Sequence, residues 1–534
     1  MASWEEKKIG NVVDVTSTTV QIMLDPDIGS LTRKIGEKTY FVGQIGTYVL
    51  VPIGQSYVIG IVSESRRLPG LNGEVGSYRI VTTLIGTIRK GKYEPGVSVL
   101  PSVDMPVYLL EDKDIRGAFS AFQQFNFSIG NLSMFENERA YLNPNKFFGK
   151  HIAILGSSGS GKSHTVASVL QKVTSLPETH VVILDLHNEY RQAFPESGQY
   201  CEISSLELPY WLLNFDEIRE MFIDPNDENA SIQMSLLQDL IAASKKEKNP
   251  RLAEVLTIDS PVNFDLAYIR GRLHFLDTEK STGTGGGREG PFFGKLTRLV
   301  ARVDTKMNDS RYAFMFKPKL FAETESAVSL LMMLFGLSGK SRVTIMDLSG
   351  VPSDILKTIV ALLARLTFDF NFWNPNRSEL PILLVFEEAH NYLSLSAEGS
   401  VAARKTVERI AKEGRKYGVS CMIVSQRPAE ISETILSQCS NFVLLRLLNP
   451  NDQMYIKRLV PESFSGLEAA ISLLRQGEGI IVGDAIPMPQ RVQIDPPDPP
   501  PLSSDVLFFD KWKKSSAKTD PHEVLERWWN QQRN

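Results

Sequence analysis

The sequence has few cysteines, no long apolar run and no excess of positive charge, and each shortage excludes a class of protein. Its 534 residues include three cysteines, Cys201, Cys421 and Cys439, which are spaced too widely for a disulfide framework or a zinc site. The apolar runs, such as residues 419–425, are far too short to span a bilayer. The N-terminal MASWEEKKIG lacks the apolar stretch of a signal peptide. We therefore expect a cytoplasmic protein without a membrane segment.

The net charge of −4 argues against a chain that simply coats itself with nucleic acid, because such chains are usually basic. A ring with a basic channel and an acidic outer surface would have the same overall charge. The content of hydrophobic residues, 42%, is ordinary for a soluble globular protein and allows a large core. At roughly 150 residues per domain, the length predicts three or four folding units.

Two patterns of apolar residues divide the chain. In residues 1–110, short apolar runs alternate with turn residues, and Gly54-Gln55 is placed for a tight hairpin, which predicts a small β-barrel. From about residue 150, apolar runs alternate with helical stretches, as in a mostly parallel sheet that is covered on both faces. These runs are HIAIL (151–155), VVILDL (181–186), VTIMDL (343–348), ILLVF (382–386), VSCMIVS (419–425), NFVLLRL (441–447) and GIIVG (479–483).

The patterns predict a barrel, an α/β core in two sections around a helical insertion, and a C-terminal arm. The barrel is predicted at residues 1–110 and the two core sections at 111–205 and 336–494. The helical insertion is predicted at 206–335 and the arm at 495–534. Within the insertion, the glycine-rich segment 281–290 is expected to be a flexible loop. The arm begins with a proline-rich extended stretch and ends in a helix around 521–532, whose Trp528 and Trp529 are expected to dock against another surface.

One segment fits a phosphate-binding loop, GxxxxGK[ST], and it follows an apolar strand and precedes a helix-compatible stretch. The glycines let loop N–H groups turn toward phosphate oxygens at the start of a helix. Lys162 is expected to reach the β- and γ-phosphates of ATP, and Ser163 to ligate Mg²⁺. The predicted nucleotide-binding residues are Gly156, Ser157, Ser158, Gly159, Ser160, Gly161, Lys162, Ser163 and His164.

An acidic pair, Glu387 and Glu388, comes directly after the ILLVF run. Carboxylates at the end of a buried strand are costly unless they have a task. Glu387 is placed to bind Mg²⁺ directly or through water, and Glu388 to polarise the water that attacks ATP. The alternative is that the two glutamates only form the solvated end of a strand.

Gln426 and Arg415 are further candidates for catalysis. Gln426 ends an apolar run, where a polar side chain either senses the γ-phosphate or caps the strand. Arg415 precedes Gly418 and the next run, a position suited to an arginine finger that faces a neighbouring subunit's nucleotide. A solvated helix end is the alternative. The basic side chains of residues 401–416 indicate either contact with DNA phosphates or a plain charged surface.

Asp185, Glu189 and Asp347 are weaker candidates, each at the end of another apolar run. They are placed to support the groups that contact the nucleotide and its metal ion. His187, which lies between the first two, is interpreted as structural.

The ordered set of motifs resembles the HerA family. A barrel, HIAILGSSGSGKS, ILDLHNEY, a helical insertion, IMDLSG, VFEEAH, EGRKYGV and SQRP follow one another between about residues 5 and 500. The resemblance implies a RecA-like P-loop ATPase core of the HerA/FtsK branch behind a HAS-like barrel that forms the ring and docks a partner. It also implies catalytic roles for Lys162, for Glu388 as base, for Gln426 as sensor and for Arg415 as a finger acting in trans.

The family's known activity implies a homo-hexamer that hydrolyses ATP and moves double-stranded DNA through its central channel. It further implies a separate nuclease or sirtuin-like, NAD-hydrolysing effector, in anti-phage defence or DNA end processing, and an arm that crosses the adjacent subunit. Two alternatives stay open. One is an ATP-binding ring scaffold that assembles an effector, with translocation secondary. The other is a secretion or conjugation coupling ATPase, which normally needs a membrane anchor.

Overall fold

The structure, a computed structural model, describes residues 4–28, 30–69, 77–135, 137–203, 206–281, 288–337, 339, 341–395, 400–460, 467–503, 506–513 and 519–529. The chain packs into two compact units. The first contains Met1–Ser175, Glu388–His390 and Ser420–Pro501. The second contains Leu176–Glu387, Asn391–Val419 and Leu502–Asn534.

The first unit begins with a closed β-barrel. Its region contains strands β1 (Lys8–Val15), β2 (Thr19–Leu24), β3 (Thr32–Ile35), β4 (Lys38–Phe41), β5 (Tyr48–Ile53), β6 (Ser56–Arg67), β7 (Tyr78–Arg89), β8 (Lys92–Pro95) and β9 (Pro106–Leu109). Six of them pair in the closed antiparallel order β1-β9-β5-β6-β7-β2, with β2 returning to β1. Closure pairs each of these strands on both sides, and their inward aliphatic side chains form the barrel core. The predicted barrel is confirmed.

The β5–β6 connection shows why glycine stands at residue 54. Ile53 pairs with Ser56, so Gly54 and Gln55 form a two-residue turn. Gly54 has a φ of 57°, in the left-handed region that glycine adopts most readily. The predicted tight hairpin is confirmed.

Thirteen further strands lie in the described residues. They are β10 (Ser128–Leu132), β11 (Arg139–Tyr141), β12 (Ile152–Leu155), β13 (His180–Asp185), β14 (Gly198–Glu202), β15 (Lys280–Ser281), β16 (Arg288–Glu289), β17 (Val343–Asp347), β18 (Ile382–Phe386), β19 (Val419–Ser425), β20 (Asn441–Leu444), β21 (Glu478–Gly483) and β22 (Gln490–Ile494).

The described helices begin at Trp4 and end at Trp529. They are α1 (Trp4–Lys7), α2 (Asp112–Gln123), α3 (Pro144–Phe148), α4 (Lys162–Gln171), α5 (Phe215–Phe222), α6 (Ala230–Lys248), α7 (Leu266–Thr278), α8 (Thr297–Asn308), α9 (Ala313–Phe316), α10 (Ala327–Leu334), α11 (Ser353–Trp373), α12 (Val401–Glu413), α13 (Glu433–Leu436), α14 (Pro450–Leu459), α15 (Phe508–Trp512) and α16 (Pro521–Trp529). None of them combines the length and apolar character needed to cross a bilayer.

In the first unit, β12 is the strand that leads into the predicted phosphate-binding loop. It pairs in parallel with β19 on one side and β20 on the other, and all four of its residues are buried. Beyond β20 the order continues β21-β22-β10-β11, and these pairs are antiparallel. The predicted parallel sheet is therefore extended here by antiparallel strands.

In the second unit, four parallel strands run in the order β18-β13-β17-β14. Every residue of β13, β17 and β18 is buried, which explains why their sequences are continuous apolar runs. The chain between β14 and β17 is mainly helical, as predicted, and the helix expected at 229–244 is α6. Most of the loop predicted at 281–290 lies outside the described residues, and its flanking residues form the β15–β16 pair.

The proline-rich segment that follows β22 contains neither helix nor strand through residue 503. In the first unit, Asp495 pairs with Arg139 at 2.6 Å and with Lys172 at 2.7 Å. The Gln171 amide donates to the Pro499 carbonyl at 2.9 Å. These contacts agree with the predicted extended arm.

The last described helix, α16, carries the two adjacent tryptophans. Trp528 and Trp529 are both exposed within this chain. Residues 530–532 of the predicted helix lie outside the described part, and the docking of the tryptophans stays a prediction.

A buried ion pair joins α11 to α5 in the second unit. Arg365 donates from Nε and Nη2 to the two carboxylate oxygens of Glu217, at 2.9 Å each. Its Nη2 also donates to the Leu212 carbonyl at 2.5 Å. Burial raises the pKa of the Glu217 carboxyl, and Arg365 opposes that shift. The ionised form of Glu217 is therefore stabilised by its ion pair with Arg365.

We expect Arg365→Ala to lower the free energy of unfolding by about 3–5 kcal/mol, because Glu217 would stay buried without a counter-ion. Urea unfolding followed by circular dichroism measures the effect. Arg66→Ala is the control, since Arg66 and Glu64 form an exposed pair in the barrel. That change should cost less than about 1 kcal/mol. Identical unfolding midpoints for Arg365→Ala and the unaltered protein would contradict the expectation.

Candidate nucleotide-binding site

The loop between β12 and α4 takes its shape from two left-handed glycines. Gly159 has a φ of 70° and Gly161 a φ of 104°, values that side-chain-bearing residues rarely adopt. Within the loop, the Ser160 N–H donates to the Ser157 carbonyl at 3.2 Å. Lys162 is the first residue of α4, so the loop ends directly at a helix N-terminus.

The loop presents donors that suit a phosphate group. The backbone N–H groups of Gly159, Gly161 and Lys162 make no hydrogen bond to a described residue. The buried Ser160 hydroxyl also lacks a partner among those residues. N–H groups at the start of a helix have no intrahelical acceptor, and together with the helix dipole they favour an anion. A nucleotide phosphate fits this set.

Backbone contacts from β19 and β20 hold the beginning of the loop. The Gly156 N–H donates to the Ser425 carbonyl at 3.2 Å, at the end of β19. The Ser157 N–H donates to the Arg446 carbonyl at 2.8 Å, just beyond β20. Sequence reasoning missed these contacts, because backbone pairing across such separations leaves no motif.

A turn at Gly477 supports the loop from another segment. Its N–H donates to the Ser160 carbonyl at 3.1 Å, and a Cβ on Gly161 would lie 3.3 Å from the Gly477 nitrogen. Beside the turn, Glu478 accepts from Arg491 Nε at 2.7 Å and Nη2 at 2.8 Å. Burial alone would raise the pKa of Glu478, but hydrogen bonds from Arg491, Ser133 and Arg475 together lower it to about 2. Glu478 therefore stays ionised and fixes the turn.

Lys162 and Glu388 lie next to each other in the first unit. Their side chains are only 7% and 10% exposed, and Lys162 Nζ is 3.7 Å from Glu388 Oε1. Glu388 has a φ of 46°, which is uncommon for a residue with a side chain. The predicted water-polarising carboxylate thus lies beside the predicted phosphate-binding amine.

His390 and Ser425 complete this group, and sequence reasoning gave neither a role. His390 Nδ1 is 3.3 Å from Glu388 Oε2 and 3.2 Å from Ser425 Oγ. Burial lowers the pKa of His390, so the imidazole is neutral near pH 7. Gln426, the predicted sensor, directly follows Ser425 and is half-buried. The available signal was the position of His390 two residues after the acidic pair.

In the second unit, Glu387 and Asp185 share one neighbour. The Tyr190 hydroxyl donates to Glu387 Oε2 at 2.8 Å. Asp185 accepts the backbone N–H groups of His187, Glu189 and Tyr190 at 3.2, 3.2 and 3.0 Å. Burial raises the pKa of Asp185, against the effect of these three bonds. Asp185 therefore shapes the loop that brings Tyr190 to Glu387, a contact that the sequence did not predict.

Asp347 and Glu189 have other contacts in the second unit. Asp347 is buried at the end of β17 and accepts the Ser349 N–H at 2.9 Å and the Tyr200 hydroxyl. Glu189 is half-buried, and its carbonyl accepts the Leu502 N–H at 2.7 Å. Their supporting roles toward a nucleotide stay predictions.

Arg415 is exposed in a 3₁₀ turn, Gly414–Tyr417, of the second unit. The turn ends at Gly418, whose φ is 71° and where a Cβ would lie 2.8 Å from the Arg377 carbonyl. The Arg377 guanidinium also stacks on the Tyr417 ring at 5.2 Å. The Arg415 side chain is exposed and forms no ion pair with any described residue.

The basic side chains of α12 are not all equivalent. Arg409 lies over the Phe368 ring at 4.4 Å and pairs with Glu413 at 3.6 Å. Lys405 is 4.0 Å from Asp216, whereas Lys412 is exposed. Arg409 therefore has a packing role inside the chain, and contact with DNA phosphates stays a prediction for this helix.

A glycine-rich loop between a buried parallel strand and a helix, with a lysine against a buried glutamate, defines a P-loop ATPase. The solved structure of VirB4 from Thermoanaerobacter pseudethanolicus has a similar fold, with a TM-score of 0.50 and 15% sequence identity. That similarity covers 69% of this chain and 96% of the VirB4 chain. The core is RecA-like, as the resemblance implied.

Comparison with known sequences finds similarity to HerA proteins. Residues 127–367 match the family described as "Helicase HerA, central domain". The DNA double-strand break repair helicase HerA of Sulfolobus acidocaldarius is 28% identical over 439 residues, 80% of each chain. Its namesake in Saccharolobus solfataricus is 27% identical over 493 residues, 88% of this chain and 91% of the relative. These similarities confirm the resemblance to HerA that was drawn from the motifs.

ATPases of this class use ATP together with Mg²⁺, and the loop residues fit both. Mg²⁺ usually takes only one or two protein ligands at such sites, because phosphates and water supply the others. Ser163 offers a hydroxyl oxygen in the first turn of α4, next to the unpaired N–H groups that suit the phosphates.

We expect Lys162→Ala to weaken ATP binding at least tenfold, or about 1.4 kcal/mol, because the phosphates would lose their nearest cation. Titration with a fluorescent ATP analogue measures Kd. Lys172→Ala is the matched control, since Lys172 caps the other end of the same helix and pairs with Asp495. It should leave Kd unchanged. Equal Kd values for the two variants would show that Lys162 does not contact the phosphates.

Proposed function

We propose that the chain is one subunit of a homo-hexamer that hydrolyses ATP to move double-stranded DNA through its central channel. The observation that carries the proposal is the buried contact between Lys162 and Glu388 at the phosphate-binding loop. A lysine for the phosphates beside a carboxylate for the water is what ATP hydrolysis requires. The relatives named DNA double-strand break repair helicase support DNA as the substrate that is moved.

The residues of the proposed site have separate roles in binding and hydrolysing ATP. The N–H groups of Gly159 and Gly161 and the Lys162 amine bind phosphate oxygens, and Ser163 ligates the metal ion. Bound Mg²⁺ neutralises charge on the phosphates. Glu388 orients the attacking water and accepts its proton, and Gln426 contacts the γ-phosphate. A place for Glu387 in the metal's coordination shell stays a prediction from the sequence.

Arg415 serves the nucleotide of a neighbouring subunit. It is exposed, unpaired within the described chain and held on a turn whose C-terminal end is fixed by Tyr417 packing and by Gly418. A guanidinium that enters the site of the next subunit stabilises charge in the transition state. Hydrolysis then depends on contact between subunits.

The N-terminal barrel docks a separate effector, either a nuclease or a sirtuin-like NAD-hydrolysing protein. In support, the barrel exposes isolated apolar side chains, such as Phe41 and Ile45, outside its closed core. The setting is DNA end processing or anti-phage defence in the cytoplasm. The names of the relatives favour DNA end processing.

We expect duplex DNA to raise ATP turnover, and Glu388→Gln to lower turnover by about 10²- to 10⁴-fold while ATP binding is retained, because only proton transfer from water is lost. A phosphate-release assay with and without DNA measures both effects. Glu430→Gln is the control, since Glu430 is exposed and pairs with Arg427. Turnover that ignores duplex DNA would contradict the motor and favour a ring scaffold.

Mixed rings test the role of Arg415. Arg415→Ala and Glu388→Gln subunits are each expected to be inactive alone, but mixtures should regain activity at interfaces that combine an intact finger with an intact base. Turnover measured against mixing ratio gives the result. Lys416→Ala, the exposed neighbour in the same turn, should remain active alone. If turnover does not recover at any mixing ratio, Arg415 does not act in the neighbouring subunit's site.

A further inference from the structure

The His390 side chain lies between the proposed base and the end of β19. Its Nδ1 atom is 3.3 Å from Glu388 Oε2 and 3.2 Å from Ser425 Oγ. All three residues belong to the first unit, and each is more than nine-tenths buried. Bulk water therefore competes little for these contacts.

One nitrogen faces two oxygens, and a neutral imidazole nitrogen carries either one N–H or one lone pair. Ser425 Oγ already accepts the Arg427 N–H at 3.0 Å. Glu388 Oε2 is buried and has no hydrogen-bond partner among the described residues. A donor turned from Ser425 toward Glu388 would therefore satisfy the oxygen that most needs a partner.

The backbone of Glu388 shows that its direction is under constraint. Its φ of 46° lies in the left-handed region, which costs a residue with a side chain roughly 1–2 kcal/mol. Such a conformation persists only where neighbouring groups hold it. Lys162 contacts Oε1 at 3.7 Å, so Oε2 is the end of the carboxylate that His390 can hold.

We propose that His390 is a positioning residue for ATP hydrolysis, whose Nδ1–H holds the Glu388 carboxylate in the direction needed for attack by water. The proposal rests on the role of Glu388 as general base. His390 itself does not touch the nucleotide. It limits the rotation of the carboxylate, while Lys162 sets the other oxygen.

Two amide variants separate positioning from packing. His390→Asn places an amide nitrogen near the Nδ1 position, whose atom makes the observed contact with Glu388, and His390→Gln places it near the Nε2 position. We expect kcat for ATP to stay within about threefold in His390→Asn and to fall about ten- to hundredfold in His390→Gln, because a misdirected base loses rate steeply. The Kd for ATP should stay within about twofold in both, since the loop is unchanged.

Equal kcat values for the two amide variants would overturn the proposal, as would a loss of rate explained by a weaker Kd for ATP. Both variants keep a polar side chain at residue 390. The comparison therefore does not depend on an apolar substitution such as His390→Leu, which would leave a cavity. Glu388→Gln is measured in parallel, so that failure of the proposed base is distinguished from failure of the proposed positioning residue. If it still hydrolyses ATP, both the base and its positioning residue are refuted. If it is inactive while the two amide variants are alike, only the positioning role fails.

Discussion

Two consecutive carboxylates, Glu387 and Glu388, are buried at the end of a strand, and much of the site follows from satisfying them. Their exposed fractions are 2% and 8%. A buried charge without a partner is among the most costly features of a protein, so each carboxylate needs its own. Tyr190 serves Glu387, while Lys162 and His390 serve Glu388. Glu388 meets its own partners with a left-handed backbone.

The groups of the proposed site differ in how firmly they are held. The phosphate-binding loop is fixed by backbone bonds from Ser425, Arg446 and Gly477, so it needs little rearrangement to receive a phosphate. Arg415 has the opposite character, because it is exposed on a turn and unpaired within the described chain. In the proposed hexamer, this combination makes hydrolysis depend on contact between subunits as well as on the binding loop.

The sequence predicted features that depend on local pattern. All seven apolar runs contain strands, and the loop at residues 156–163 lies between β12 and α4 as expected. It did not separate β1 from β2, since one apolar run crosses the turn at Thr16. Nor did it reveal β10 or β22, because partly exposed strands give a weaker signal than continuous apolar runs. The contacts of Tyr190, His390 and Gly477 depend on how distant segments meet, and no local spacing encodes that.

The position of β12 determines when its neighbours become available during translation. Both strands that flank it, β19 and β20, are synthesised more than 260 residues later, since they begin at Val419 and Asn441 and β12 ends at Leu155. The Gly477 turn that supports Ser160 comes later still. A growing chain on the ribosome therefore displays an apolar strand and a glycine loop without their neighbours for most of translation. The hydrogen bonds from Ser425, Arg446 and Gly477 that hold the loop can therefore form only after most of the chain has been synthesised.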